Sequence, residues 1–115
     1  MKIDLMRKDR GYLLGRYTAL VAHISGAIDP VATEVQMREL PEIAFRRLGI
    51  AYRTAVDRLR INEPERADLV GRRALAIVRT LRPQDMSEPL ALSEQLAFSQ
   101  GFFGEFDVLQ TAGML

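Results

Sequence analysis

Apolar side chains in the first quarter of the chain recur at steps of three and four residues. This spacing places them along one side of an α-helix, so the segment is predicted to be an amphipathic helix. Asp9 precedes it and suits the N-cap position, where a carboxylate can accept hydrogen bonds from free backbone N–H groups. The apolar positions of this first helix are Leu13, Leu14, Tyr17, Leu20, Val21, Ile24 and Ile28.

A second helix start follows at Asp29-Pro30, because a capping residue before a proline is typical of a first helical turn. The stretch from there to Leu40 fits one or two helical turns or an ordered loop. Pro41 opens a longer helix, Asn62-Glu63-Pro64-Glu65 ends it, and the next helix stops near Arg82-Pro83. The core stripes of these two helices are Phe45, Leu48, Tyr52, Ala55, Val56 and Leu59, then Leu69, Val70, Ala74, Ile77, Val78 and Leu81.

The last helix follows a connector that runs from Pro83 to Pro89. Residues 110–115 are expected to fray as a short tail. No stretch alternates between apolar and polar residues as a half-buried strand does. The chain is therefore predicted to be all-α, one domain over residues 1–115 that forms an antiparallel bundle of four main helices with room for one extra short helix. The inward positions predicted for the last helix are Leu92, Leu96, Phe103, Phe106 and Leu109.

The composition fits a folded protein that works inside the cell. A chain of 115 residues with 48% hydrophobic residues can bury a core as a single domain. It has no cysteine, which excludes disulfides and thiolate chemistry. No apolar run has the length of a signal-peptide core or of a membrane span. These features predict a cytoplasmic protein that has no membrane partner.

The net charge of +1 hides a strong segregation of charge along the chain. Residues 1–40 are nearly neutral, residues 41–82 contain ten arginines and five acidic residues, and residues 83–115 contain five acidic residues and no base. The planar guanidinium group of arginine donates paired hydrogen bonds to phosphates and carboxylates. A GC-rich coding sequence would also raise the share of arginine, but it would not segregate the charges.

The arginines of the middle segment fall into rows. Residues seven apart on an α-helix are offset by only about 20° and lie almost in line. A tight turn joins the two helices that carry these rows, so we expect both rows to share a surface that follows a phosphate backbone without reading bases. The alternative is a solvated face with intrahelical ion pairs such as Asp57–Arg60 and Asp68–Arg72. The candidate nucleic-acid contacts are Arg46, Arg47, Arg53, Arg60, Arg72, Arg73 and Arg79.

The remaining residues suggest no catalytic, metal or cofactor site. His23 is the only histidine, and no carboxylate lies three or four residues from it to complete a metal site. No set of histidine, nucleophile and acid can be assembled around it. Gly101-Phe102-Phe103-Gly104 fits a GxxG pattern but lacks the basic residues of a phosphate-clamping loop. Gly11 and Gly15 permit the close approach of another helix.

Three blocks of the sequence resemble the small subunit of the type I-C CRISPR Cascade complex, which is related to the C-terminal region of that system's large subunit. Residues 11–16 are similar to the family's opening Tyr-Leu-Leu-Gly-Arg-Leu block. Residues 41–48, with the later Arg58-Leu59, are similar to its second block. Residues 90–103 resemble its closing Leu-Ser-x-Glu-Glu-Gln-x-x-Phe-x-Leu-Gly-Tyr-Tyr block. The blocks occur in the family's order and span nearly the whole chain.

The resemblance implies a helical subunit without enzymatic activity, which lies along a ribonucleoprotein that contains guide RNA and target DNA. It would help to hold the displaced DNA strand and would contact neighbouring Cascade subunits, with further copies of itself as candidate partners. Sequence recognition in such complexes comes from base pairing, so the subunit needs only contacts to the nucleic-acid backbone. The acidic last third would then face basic neighbours, and the candidate partner-interface residues are Asp85, Glu88, Glu94 and Phe102.

The alternative is a protein-interaction module, such as a phage-encoded mimic of the same subunit. Its arginines would bind an acidic protein and not DNA. Neighbouring CRISPR genes would favour the subunit, and a prophage region would favour the mimic. A small helical enzyme is a third class, but the chain offers no positioned acid, base or nucleophile that would support it.

Overall fold

The computed structural model describes residues 2–111, which form a bundle of helices. Within that range it has five α-helices, one short 3-10 helix and no β-strand, so the predicted all-α bundle is confirmed and α2 is its extra short helix. The last two described residues belong to α5, and the rest of the predicted tail, residues 112–115, lies outside the described residues. The helices are α1 (Arg10–Ile24), α2 (Pro30–Glu39), α3 (Pro41–Asn62), α4 (Pro64–Thr80), the 3-10 helix Pro83–Met86 and α5 (Leu92–Thr111).

The starts of the helices follow local sequence signals. Helices α2, α3 and α4 each have a proline in the first turn, where the missing N–H costs no hydrogen bond. Asp29 caps α2 as expected, since its carboxylate accepts hydrogen bonds from the backbone N–H groups of Val31 (3.0 Å) and Ala32 (3.4 Å). Asp9 stands at the N-cap of α1, but its carboxylate pairs with Arg7 (2.8 Å) and does not bond to the helix.

Helix α1 lies at the centre of the bundle. Every residue from Gly11 to Val21 is buried, and Leu14 and Leu20 are fully inaccessible to solvent. The other four α-helices all contact α1, so little of it remains for water to reach. The apolar stripe of α1 therefore accounts for only part of its buried surface. The small and polar residues between the stripe positions are buried as well. None of the described helices combines the length and the apolar character needed to cross a membrane.

Helices α1 and α5 form the tightest contact of the bundle. A Cβ atom added to Gly11 would overlap the backbone carbonyl of Glu94, and one added to Gly15 would overlap that of Phe98. Because both residue numbers rise together, the two helices run side by side in the same direction. The parallel direction of this pair differs from the predicted antiparallel arrangement. The connector before α5 lies beside the start of α1, so both helices begin at the same end of the bundle. The glycine spacing thus permits close helix approach inside the molecule.

The inward face of α5 also differs from the prediction. Leu92, Leu96 and Phe103 are 82%, 63% and 53% exposed, so the prediction that they face inward is wrong. The face that meets α1 instead carries Gly101, which lies against the α1 backbone. Backbones that approach so closely leave no room for large side chains between them, and the leucines are turned to the other side. Leu109 is buried, as predicted.

Arg10 fastens the connector between α4 and α5 to the start of α1. Three of its five guanidinium N–H groups donate to the backbone carbonyl oxygens of Asp85, Glu88 and Pro89, at 2.7, 2.7 and 2.8 Å. The other two donate to the carboxylate of Glu94, at 2.5 and 2.8 Å. All donors of this arginine are therefore satisfied within the chain. The hydrogen bonds from Arg10 are the largest cause of a lowered pKa for Glu94.

Replacing Gly15 with alanine should push α1 and α5 apart. The added methyl group collides with backbone atoms of Phe98 that cannot rotate away, so we expect the free energy of unfolding to fall by about 2 kcal/mol or more. Gly49→Ala in α3 is the matched control, because a Cβ atom there meets nothing within 4 Å. The control should gain about 1 kcal/mol from helix propensity. Urea-induced unfolding measures both variants, and equal stabilities would contradict the close contact.

The Arg10–Glu94 pair should make stability depend on pH in the acid range. Because the folded pKa of Glu94 lies below its ordinary value of 4.5, the contribution of the pair is complete above that value and is lost as pH falls through the folded pKa. Arg10→Met should therefore lower the Tm near neutral pH more than at about pH 3. Arg46→Met breaks an exposed pair and should lower the Tm little at either pH. A loss of Tm in Arg10→Met that is the same at both pH values would exclude this linkage.

Candidate nucleic-acid interface

The arginine row of α3 lies on an exposed face of that helix and comprises Arg46, Arg53 and Arg60. Arg46 pairs with Glu42 one turn earlier (3.1 Å), and Arg60 lies 3.8 Å from Asp57, as one of the predicted intrahelical pairs. All four paired side chains are at least 64% exposed. Pairs of this kind contribute little to stability, so their guanidinium groups can exchange the carboxylate for a phosphate at small cost.

The second row, Arg72 and Arg79, lies on the exposed side of α4. Only Glu63 separates α3 from α4, so the two helices form a tight antiparallel hairpin. Arg60 of the first row and Arg72 of the second line the same groove between these helices, with a volume of about 540 Å³. One arginine of each row therefore lines this groove.

Two tyrosines line the same groove. Tyr17 of α1 is buried and Tyr52 of α3 is half-buried, with their ring centroids 6.2 Å apart. Burial raises the pKa of Tyr17 to about 12. Burial also raises the pKa of Tyr52, although the charge of Arg60 opposes this shift. Both phenols therefore stay neutral at physiological pH and do not repel an anion in the groove.

Arg47 lies on a different face of α3 from the two rows. Its Nη1 donates a long hydrogen bond (3.4 Å) to the side-chain oxygen of Gln36 in α2. It lines one groove between α2 and α3, of about 460 Å³, and a second beside the end of α1, of about 570 Å³. Arg58 lines the second of these grooves as well. Among the candidate nucleic-acid contacts, Arg47 is thus the one that lies beside α2.

Arg73 belongs to an ion-pair cluster inside the bundle. Its Nε and Nη2 atoms donate to the two carboxylate oxygens of Glu105, at 2.5 and 3.0 Å. Arg16 of α1 donates to the same carboxylate through Nε, at 2.9 Å. The side chains of Glu105, Arg16 and Arg73 are 0%, 6% and 21% exposed, so this cluster joins α1, α4 and α5 around a fully buried carboxylate. Its position separates Arg73 from the exposed candidate contacts.

Helical spacing did not predict this cluster, although the sequence contains a signal for it. Arg16 lies between Gly15 and Tyr17 on a largely apolar segment of α1, and Glu105 lies between Gly104 and Phe106. A charge embedded in an apolar face requires an opposite charge, because an unpaired buried charge is strongly destabilising. Helical spacing does not reveal which other helix supplies the partner, and here two different helices each supply an arginine.

The acidic candidates for a partner interface are used largely within the chain. Glu94 pairs with an arginine of α1, and the Asp85 carboxylate accepts a 2.7 Å hydrogen bond from the backbone N–H of Arg82. Glu88 remains exposed at the connector. Since Glu105 is also paired inside the bundle, two carboxylates of the acidic last third are balanced by arginines of this chain. Glu105 is completely buried, whereas the side chain of Glu94 is 31% exposed.

Phe102, the apolar candidate for a partner interface, belongs to an aromatic group on the outer side of α5. Its ring lies nearly parallel to that of Phe106, with centroids 6.5 Å apart, and edge to face with Phe103 at 5.4 Å. Phe103 also continues the exposed stripe of Leu92 and Leu96. Steps of four and seven residues along this stripe are typical of a helix that packs against another helix.

The histidine and the GxxG pattern of the sequence were also considered as sites, and the structure gives their surroundings. Residues 2–111 contain no group of three or more potential side-chain ligands that could hold a metal ion. The imidazole Nε2 of His23 lies 3.0 Å from Nη2 of Arg66. Gly101 and Gly104, the ends of the GxxG pattern, face the backbone of α1 and the side of Ile3. This pattern therefore serves packing of α5 and is not a phosphate clamp.

No protein-family model, curated protein sequence or solved structure matches the chain. A candidate function therefore rests on the geometry of the arginine rows and on the resemblance of the three sequence blocks.

Glu105→Gln should destabilise the bundle strongly. The neutral side chain leaves the positive charge of Arg16 buried without compensation, and we expect the free energy of unfolding to fall by about 3 kcal/mol or more. Glu42→Gln breaks the exposed pair with Arg46 and should cost less than about 1 kcal/mol. Urea unfolding of both variants tests this, and similar small losses would mean that the Glu105 carboxylate is not needed as a charge.

Proposed function

We propose that this protein is a non-catalytic subunit of a CRISPR Cascade ribonucleoprotein and that it holds the displaced DNA strand by the phosphate backbone. Its proposed location is the cytoplasm. Sequence recognition is left to base pairing between guide RNA and target DNA, so the subunit needs no base-specific contacts. The contacts to DNA are assigned to five exposed arginines, which we call the arginine surface: Arg46, Arg53, Arg60, Arg72 and Arg79.

The observation that carries the proposal is that one arginine of each row lines the same groove. Arg60 and Arg72 belong to different helices and line the same groove. From Arg46 to Arg60 the row on α3 extends over about 21 Å, at 1.5 Å per helical residue. A line of positive charge of this length can follow several phosphates of one strand, and each contact releases counterions from the nucleic acid.

The resemblance to the Cascade small subunit supports the proposed complex. Its first and third blocks, residues 11–16 and 90–103, are the segments through which α1 and α5 pack together. Its second block, residues 41–48, begins the helix that carries the first arginine row. The three blocks therefore contribute to one packed unit that includes the start of the arginine surface.

Neighbouring subunits, or further copies of the same chain, are proposed to contact the outer side of α5. Leu92, Leu96 and Phe103 form an exposed apolar stripe there, and exposed apolar patches often mark protein interfaces. The same stripe also favours the alternative function, a protein-interaction module. In that alternative the arginine surface would bind an acidic protein.

Titration of fluorescent single-stranded DNA at two salt concentrations tests the proposed function. Wild-type affinity should fall as salt rises, with a log–log slope of up to about −3.5 if all five arginines contact phosphates of a single strand. Replacing the arginine surface with glutamine should abolish most of the binding. Circular dichroism should show that this variant remains folded, because the replaced side chains are exposed.

The control removes the same amount of charge from other exposed positions and should retain most of the affinity. Equal loss in the two variants would show that net charge, and not the arginine surface, governs binding. No binding by the wild type at low salt would overturn the proposed function and favour an acidic protein partner. The control replaces five residues with glutamine: Lys2, Lys8, Arg38, Arg58 and Arg82.

A further inference from the structure

The groove between α3 and α4 offers more than positive charge. We call it the tyrosine groove, after Tyr17 and Tyr52 in its lining; Arg60, Gly71 and Arg72 also line it. Its volume of about 540 Å³ lies within the range of clefts that hold small ligands, roughly 300–1,000 Å³. A surface that only follows phosphates does not require such a cleft.

Small residues of α4 leave the space open beside Tyr52. A Cβ atom added to Gly71 would meet only the Tyr52 hydroxyl oxygen, at 3.8 Å. Ala67 and Ala74 are buried and short, so they add little bulk to the groove. A larger side chain at position 71 would therefore project into the open space without a backbone collision.

Apolar side chains extend the groove surface on α4. Leu75 is 55% exposed and Val78 is 38% exposed, although spacing predicts Val78 to be a core position. Together with the half-buried ring of Tyr52 they form an apolar surface beside two guanidinium groups. Asp68 is the acidic residue of the lining and can accept a hydrogen bond from an N–H group of a ligand.

This combination of groups matches a ligand that has a flat apolar face and negative charge. An inorganic phosphate would engage Arg60 and Arg72 but would leave Tyr52 uncovered. An apolar peptide helix would cover the tyrosine but would leave the two guanidinium charges without compensation. A nucleotide satisfies both, since its base stacks on an aromatic ring and its phosphates bind arginine.

We propose that the tyrosine groove binds one unpaired base of a single-stranded nucleic acid, with the base against Tyr52 and the flanking phosphates on Arg60 and Arg72. This inference rests on the proposed function and adds a contact to a base, which binding of the phosphate backbone alone does not require. In a duplex the faces of the bases are covered by their neighbours, so no base can reach the tyrosine. Stacking of this kind tolerates any sequence, because every base has an aromatic face.

Two fluorescent probes with the same number of phosphates separate stacking from charge. One is an oligothymidine of about ten nucleotides, a typical site size for single-strand binding, and the other is an abasic strand of equal length. Wild type should bind oligothymidine at least about fivefold more tightly than the abasic strand, which is the lower end of the effect of one stacked base.

Three variants locate this preference in the tyrosine groove. Gly71→Leu fills the groove without changing charge, and Tyr52→Leu removes the aromatic ring. Both should bind the two probes equally, with the affinity that wild type has for the abasic strand. Tyr52→Phe keeps the ring and should keep the preference. If Tyr52→Leu fails to fold, Gly71→Leu alone tests whether the preference depends on the tyrosine groove, because position 71 has room for a side chain.

The outcomes distinguish this inference from the proposed function. Equal wild-type affinity for both probes would overturn base binding and leave backbone binding intact. A preference for oligothymidine that survives in both leucine variants would place the stacked base elsewhere and would also overturn the inference. Absence of binding to either probe at low salt would overturn the proposed function itself.

Discussion

The close backbone contact between α1 and α5 fixes the position and orientation of α5 in the bundle. Because Gly11, Gly15 and Gly101 have no side chains, the two helices approach until the carbonyl groups of one lie against the Cα atoms of the other. Long backbone segments in van der Waals contact gain dispersion energy over their whole length. The same contact orients α5. Its glycines face inward, Leu92 and Leu96 face outward, and Glu105 lies within reach of α1.

The charges of the chain divide into two populations with different environments. Arg10, Arg16 and Arg73 are paired with carboxylates of α5, and these pairs tie distant parts of the chain together. Of the exposed arginines of α3 and α4, Arg46 and Arg60 pair with exposed carboxylates on their own helix. The segregation seen along the sequence thus becomes internal neutralisation around α5 and an exposed positive surface on α3 and α4. The net charge of +1 for the whole chain therefore does not reveal this separation of charge between the two regions.

The helices themselves were predictable, because apolar periodicity and proline starts are local signals that each segment carries. The orientation of α5 was not predictable from these signals. This helix has an apolar stripe on one side and glycines on another, and large apolar residues usually indicate the buried side. The structure shows that the glycine side was buried. Likewise, Arg72 and Arg73 are adjacent in sequence and only about 100° apart on the helix. The inward position of Arg73 depends on Glu105, which is 32 residues away and invisible to helical spacing.

The parallel pairing of α1 with α5 has a consequence for how the chain is made. Arg10 and its partner Glu94 are 84 residues apart, so α1 is synthesised long before the helix that covers its glycine face. At about 5–20 residues per second, that interval lasts roughly 4 to 17 seconds. During this time α2, α3 and α4 can gather around α1, but the groove meant for α5 stays open along its length. The nascent chain therefore passes through a stage in which the glycine face of its central helix is accessible to chaperones and to other nascent chains.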